Sequence, residues 1–249
     1  MARTLLVRGM VVGAIAGVLA LIFAKVFGEP PVSAAIAVES AKLEAAGIIE
    51  GPAVVSRQIQ STLGLGVAVV VYGTAIGGFF AIAYAVVAGR ISAFGARTTA
   101  GLVALIGYGA VVFVPFMKYP ANPPAVGHPD TIGHRSGLYF TMLVISLLLA
   151  IGMISLGRML VPRLGRWNAS IAAVAAFVVA VGIAGYLMPT VDEVPAGFPA
   201  DVLWQFRVAS LGTQAVLWTS LGLLFGALTD RALRRERLAA EAPAAAAVP

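Results

Sequence analysis

Six runs of about twenty residues, none charged at its centre, narrow what this chain can become more than any other feature. A bilayer core of about 30 Å needs roughly 20 apolar residues of α-helix to cross it. The runs cover residues 5–27, 62–88, 98–116, 138–160, 168–188 and 208–229. The charges inside these limits are Arg8, Lys25 and Arg158, each within a turn or so of an end, where a long side chain reaches the headgroups. With 60% hydrophobic and 11% charged residues, against roughly 25% charged in soluble domains, and a mean hydropathy of +0.95, the chain has too much apolar surface for a water-soluble globule. The expected fold is all-α, a polytopic membrane helix bundle of about six transmembrane helices in one integral membrane domain over residues 1–238. Residues 239–249, Ala-rich and ending in Pro, have no core-forming residues and are expected to be a disordered tail.

Lys and Arg set the orientation, since cytoplasmic loops carry their excess. With six spans, the side holding the N-terminus receives Arg3, Arg8, Arg90, Arg97, Arg158, Arg163, Arg166, Arg231, Arg234, Arg235 and Arg237, eleven of the 17 bases, with the acids Asp230, Glu236 and Glu241. The other side receives six bases and the remaining eight acids: Glu29, Glu39, Glu44, Glu50, Asp130, Asp192, Glu193 and Asp201. Both termini are therefore expected in the cytoplasm, with the chain multi-pass in the inner (plasma) membrane. The alternative of a cleaved signal peptide over the first 28 residues meets an apolar run that is long for one, with no clear small-x-small cleavage site before Gly28. The formal charge of +6 does not point to nucleic acid, because the bases cluster at span ends rather than along a face.

Gly9, Gly13 and Gly17 make two successive GxxxG steps on one face of the first span, and Gly73 with Gly77 repeats the spacing in the second. Such faces mark close helix contact. Contact within the chain is the expectation; contact with a second copy, as in a homo-oligomer, is compatible with the same spacing. Spans one, three and five run into Pro-containing segments at Gly28-Glu29-Pro30-Pro31, residues 115–124 and residues 189–195, and each returning helix begins near Arg57, Arg135 or Arg207. Residues 33–47, Ala-rich with Glu39 and Lys42 at helical spacing, are expected to form a short surface helix.

The densest polar constellation is Lys118-Tyr119-Pro120-Ala121-Asn122-Pro123-Pro124 followed by His128-Pro129-Asp130-Thr131-Ile132-Gly133-His134-Arg135. Both histidines of the chain fall here. Imidazoles flanking a carboxylate suit a borderline divalent ion such as cobalt, nickel or zinc, so His128, Asp130 and His134, with Glu29 at the end of the first span, are the candidate metal residues. Solvated loop histidines are the plainer alternative. The prolines stiffen the loop. With no cysteine, disulfides, thiolate metal sites and thiol nucleophiles are excluded. Walker, His-Glu-x-x-His and Gly-x-Ser-x-Gly motifs are lacking, and no span has an Asp, Glu, His, Lys or Arg at its centre, where proton relays usually sit.

These pieces resemble the CbtA family of cobalt transporter subunits. The resemblance rests on Phe27-Gly28-Glu29-Pro30 with Ala35-Ile36-Ala37, Val114-Pro115-Phe116 through the Lys118–Pro124 run, Asp130-Thr131 with Arg135, and Phe206-Arg207 leading to Trp218. It implies a membrane protein for cobalt uptake into cobalamin synthesis, working with a small single-span, His-bearing subunit, CbtB, and holding no permanent cofactor, with Co2+ as cargo. It also implies importance for Glu29, Lys118, Tyr119, Pro120, Asn122, Pro123, Pro124, Asp130, Thr131, Arg135 and Arg207; His128 and His134 stand outside the family pattern. The family is described with five spans, one fewer than hydropathy gives here. The expected function is a non-enzymatic membrane subunit of a divalent-metal uptake transporter; the alternative is a non-transporting scaffold that positions a small partner.

Overall fold

The computed structural model describes residues 2–48, 54–89 and 94–245. Glu50 and Arg90, counted above in the charge balance, lie outside these, as do residues 246–249 of the tail. Among the described residues every regular element is helical. Helix α1 (Ala2–Phe23) passes through a π-helical turn (Ala24–Gly28) into α2 (Glu29–Ala45). The single turn α3 (Arg57–Ile59) and a second π turn (Gln60–Gly64) lead into α4 (Leu65–Val87). Helix α5 (Ala96–Gly107) continues through a π segment (Tyr108–Phe113) into α6 (Val114–Lys118), and a 3₁₀ turn (Pro129–Thr131) opens α7 (Ile132–Leu187), which α8 (Ala200–Ala245) follows. Five helical stretches are long and apolar enough to cross a membrane: Arg3–Ala45, Arg57–Val87, Ala96–Lys118, Pro129–Leu187 and Ala200–Glu241.

Their side chains are distributed as lipid demands. The buried positions are dominated by Ala, as at Ala16, Ala20, Ala100, Ala150, Ala169 and Ala173, while large residues such as Phe79, Leu148 and Val178 face outward, Phe79 at 70% exposure. Water would reject so extensive an apolar exterior; hydrocarbon accepts it, and the small residues let the backbones close together.

Three expectations change in detail. Pro30 and Pro31 do not end the first helix, which runs on through α2. They stand in the first turn of α2, just past the π turn, where a proline's missing N–H is tolerated. Helix α2 also takes in the surface helix expected over residues 33–47 up to Ala45. Helix α8 continues through residues 239–245, part of the stretch read as a tail.

Helix α7 would be about 84 Å long if straight, but its backbone leaves the helical region at Gly165 (φ 72, ψ 166). A left-handed φ of this kind suits glycine. The two halves fold back on one another. A Cβ on Gly157 would sit 3.4 Å from that of Ala173, each eight residues from Gly165, and Leu138, Tyr139 and Met142 share an apolar cluster with Phe177, Val181, Ala184 and Met188.

The chain divides into two compact units. The first comprises Met1–Val26, Ala53–Leu105 and Gly212–Pro249. In it the GxxxG faces meet within the chain: a Cβ on Gly13 would fall 2.9 Å from the Gly77 Cα, and one on Gly17 3.0 Å from the Val69 carbonyl oxygen. Falling partner numbers, from Gly77 to Val69, mark α1 and α4 as antiparallel. Helix α8 runs the other way relative to α1, with Arg8 donating to Thr229 Oγ1 (3.1 Å) and Phe23 against Gly212. It is parallel to α4: Tyr72 pairs with Gln214, Phe80 with Trp218 and Tyr84 with Phe225.

The second unit comprises Phe27–Pro52 and Ile106–Leu211. Its π segment has a local reason. A π turn frees a carbonyl from the usual i→i−4 ladder, and the buried Ser146 hydroxyl of α7 donates to the Ala110 carbonyl within it. In the first unit Lys25 Nζ likewise donates to the Ser61 carbonyl of the π turn there, at 2.7 Å.

Candidate functional site

The polar loop of the sequence becomes a clasped cap on the second unit. It begins where α6 ends, at Tyr119, whose φ of −127° and ψ of 77° leave the helix. Pro120 follows, so the helix could not continue in any case. The Tyr119 ring is buried and its hydroxyl donates to the Pro189 carbonyl at 2.7 Å. Burial pushes the Tyr119 pKa up, which keeps the hydroxyl protonated as that donor. Lys118 Nζ lies 5.9 Å from the ring centroid, within cation–π range.

Arg207, near the start of α8, holds the next stretch. Its Nε donates to the Ala121 carbonyl at 3.3 Å and its Nη2 to Asn122 Oδ1 at 3.1 Å. A guanidinium reads a carbonyl and an amide oxygen together because its donors are set in a rigid fork. Beyond Pro123, which is buried, and Pro124, Val126 turns into a small apolar core with Ala35 of α2 and Phe198, flanked by Val194, Val202 and Leu203. Thus side chains pack α2, the cap loop and the segment leading to α8 together, and hydrogen bonds tie the loop to that segment and to α8.

A second clasp closes on Glu193. Its Oε2 accepts from the His128 backbone N–H at 3.0 Å and from Thr131 Oγ1 at 2.9 Å, and lies 3.3 Å from Arg135 Nε. Thr131 Oγ1 is also 2.9 Å from the His128 carbonyl, so its one proton serves either acceptor, and Arg135 Nη2 donates to that carbonyl at 3.3 Å. The His128 N–H, then Thr131, then the Arg135 charge hold the Glu193 carboxyl below the usual carboxylate range, against the opposing effect of burial. Gly127 makes the turn possible: its φ is 100°, and a Cβ there would lie 2.6 Å from Arg135 Cζ.

The candidate metal residues are spread around these clasps. His128, Asp130 and His134 are all exposed, at the end of the loop, in the 3₁₀ turn and in the first turn of α7. Glu29 is half-buried at the start of α2. Among the described residues no three His, Asp or Glu side chains are grouped so as to hold a metal ion. What the structure does bring together is Tyr119 with Pro189, Asn122 with Arg207, and Thr131 and Arg135 with Glu193. In the sequence Glu193 is one of eight acids on the side opposite the N-terminus. Its usable signal was its place between Pro189 and Pro195, opposite a Pro-stiffened loop with an Arg seven residues after His128.

A family model described as a probable cobalt transporter subunit (CbtA) matches residues 2–230. The chain belongs to the CbtA family. That span takes in both clasps and nearly all of the membrane helices. As a CbtA family member the chain is a multi-pass membrane transporter subunit rather than an enzyme. No curated protein and no solved structure matches it.

Proposed function

We propose that this chain is the membrane-embedded subunit through which a divalent metal, cobalt, is taken up across the inner (plasma) membrane for cobalamin synthesis. The observation that carries this is the CbtA match over residues 2–230. In this reading the chain crosses six times with both termini in the cytoplasm. The parallel course of α4 and α8 supports six: if Ile132–Leu187 crossed once, α8 would run opposite to α4, whereas two crossings around Gly165 make them parallel. The Lys and Arg asymmetry supports the orientation.

The clasped cap then lies outside, where His128, Asp130 and His134 face solvent and Glu29, Asp192 and Asp201 add negative charge. A field of that sign raises the local concentration of a cation. Since no three donors are grouped among the described residues, the cap gathers a hydrated ion rather than stripping it. Without a nucleotide-binding motif in this chain, any ATP drive comes from another subunit, and the small single-span CbtB-like protein is the proposed partner. The ungrouped donors also favour a second reading, a scaffold that positions this partner and leaves the ion path to it.

The test is cobalt uptake under limiting cobalt in cells with and without the chain. Uptake that requires the chain and falls in Asp130→Ala supports a path through this subunit. Uptake that requires the chain but ignores Asp130→Ala and Glu29→Ala favours the scaffold, and equal uptake with and without the chain contradicts both.

A further inference from the structure

The seam between α4 and α8 carries polar groups that capture at the cap leaves unused. Gln214 lies in the uncharged stretch 208–229 of α8. Its side chain lies beside the Tyr72 hydroxyl of α4, and its Oε1 is buried with no partner among the described residues. One turn on, Trp218 is 7% exposed and its Nε1 is also buried without a partner. Residues four apart share a helix face. Both side chains also touch α4, Trp218 through Phe80 with ring centroids 6.5 Å apart. The orphaned acceptor and the orphaned donor therefore look onto the same seam. Further along α8 the seam closes on rings: Phe225 meets Phe80 at 5.3 Å and Tyr84 at 5.0 Å, and Phe225 and Leu221 are fully buried.

In hydrocarbon no solvent is at hand to satisfy a buried polar group, so two left open a turn apart demand a guest. The pair selects its chemistry. A bare cation is drawn to Oε1 and repelled by the indole N–H, and an anion meets the reverse; a molecule that donates to one and accepts from the other suits both. We infer that the first unit holds an intramembrane hydration site between Gln214 and Trp218, next to an aromatic seal formed by Phe80, Tyr84 and Phe225. Its water is either resident or belongs to the shell of a cation in passage; only the second source rests on the cobalt reading.

The chain has three tryptophans, and Trp167 and Trp204 are exposed at 78% and 69%. Trp167→Phe with Trp204→Phe leaves Trp218 as the sole reporter in the full-length protein, purified into lipid nanodiscs. Indole N–H to N–D exchange in heavy water, followed by ultraviolet resonance Raman, and the emission maximum then read its surroundings. The site predicts ready exchange and a red-shifted emission, with Gln214→Leu slowing exchange and shifting emission to the blue. Saturable quenching by Co2+ but not by Mg2+ identifies the shell of a passing cation, and emission indifferent to both identifies resident water. A protected N–H with blue emission in the protein retaining Gln214 overturns the inference, and this measurement holds even if Gln214→Leu fails to fold. That result alongside chain-dependent cobalt uptake leaves the transport reading standing, and a hydrated Trp218 without such uptake does the reverse.

Discussion

Glu193 shows how much a single side chain can organise when two hydrogen-bond donors and a guanidinium charge converge on it. Replacing it by Gln keeps the volume but removes the charge that Arg135 and the His128 N–H stabilise. Hydrogen exchange of the His128 amide should accelerate in Glu193→Gln while the amides of α4 stay protected. The pH dependence has a definite sign. Because the folded-state pKa lies below the carboxylate's ordinary value, the clasp contributes fully at neutral pH, and its contribution is lost as pH falls below about 4.5 through the lowered folded value. Cap proteolysis should therefore stay flat above that range and rise below it. A clasp that opened near neutral pH would contradict this geometry. Gly127 tests the same region through the backbone: Gly127→Ala meets both a φ of 100° and the Arg135 guanidinium, so it should destabilise the protein by about 1–3 kcal/mol, read as a lower melting temperature in lipid. Arg207 and Asn122 could be singled out from the sequence as residues of weight, but their contact could not. A bond between positions 85 apart leaves no local periodicity to read.

At the scale of the element, apolar length was the legible signal and chain reversal was the harder one. The runs at 138–160 and 168–188 both fall inside α7 but for Met188, its C-cap, and the break between them lies at Gly165, after Pro162 and amid Arg163 and Arg166. Prolines misled at the other end, because Pro30 and Pro31 had the company of a turn but stand where a helix can hold them. None of the π segments was foreseen; each depends on register and tertiary bonding, such as Ser146 to Ala110, which composition does not encode. The α7 hairpin makes a direct prediction. In this Cys-free chain, Gly157→Cys with Ala173→Cys places two Cβ atoms near the 3.4 Å that an added Cβ at residue 157 makes with Ala173, close to the mean of about 3.8 Å in disulfides. Mild oxidation should join them without loss of the folded protein, as a mobility shift reversed by reductant. Failure to couple would mean that the two halves do not pack.

Across the whole molecule, composition named the solvent and residue spacing named the packing faces. Leu and Val side chains face outward while glycines meet backbone to backbone, an arrangement suited to lipid because dispersion contacts replace a hydrophobic drive between helices. The GxxxG spacing was readable, and its intrachain partners followed once α1 and α4 were set antiparallel. Disrupting that face by Gly13→Leu should cost about 1–3 kcal/mol or more from overpacking, seen as loss of folded protein after detergent challenge rather than as a selective loss of partner capture. The cap was less legible because its packing and bonding partners come from three distant segments, α2, the loop after α6 and the segment before α8. In the proposed function this CbtA family chain carries cobalt inward through its own helices. That path is tested most directly by radiolabelled cobalt uptake into cells producing the chain alone, with the small single-span partner, and with that partner plus Asp130→Ala. Uptake should require this chain and drop in the Asp130→Ala arm at unchanged membrane abundance; the same uptake in all three arms as in cells lacking the chain would rule out such a path.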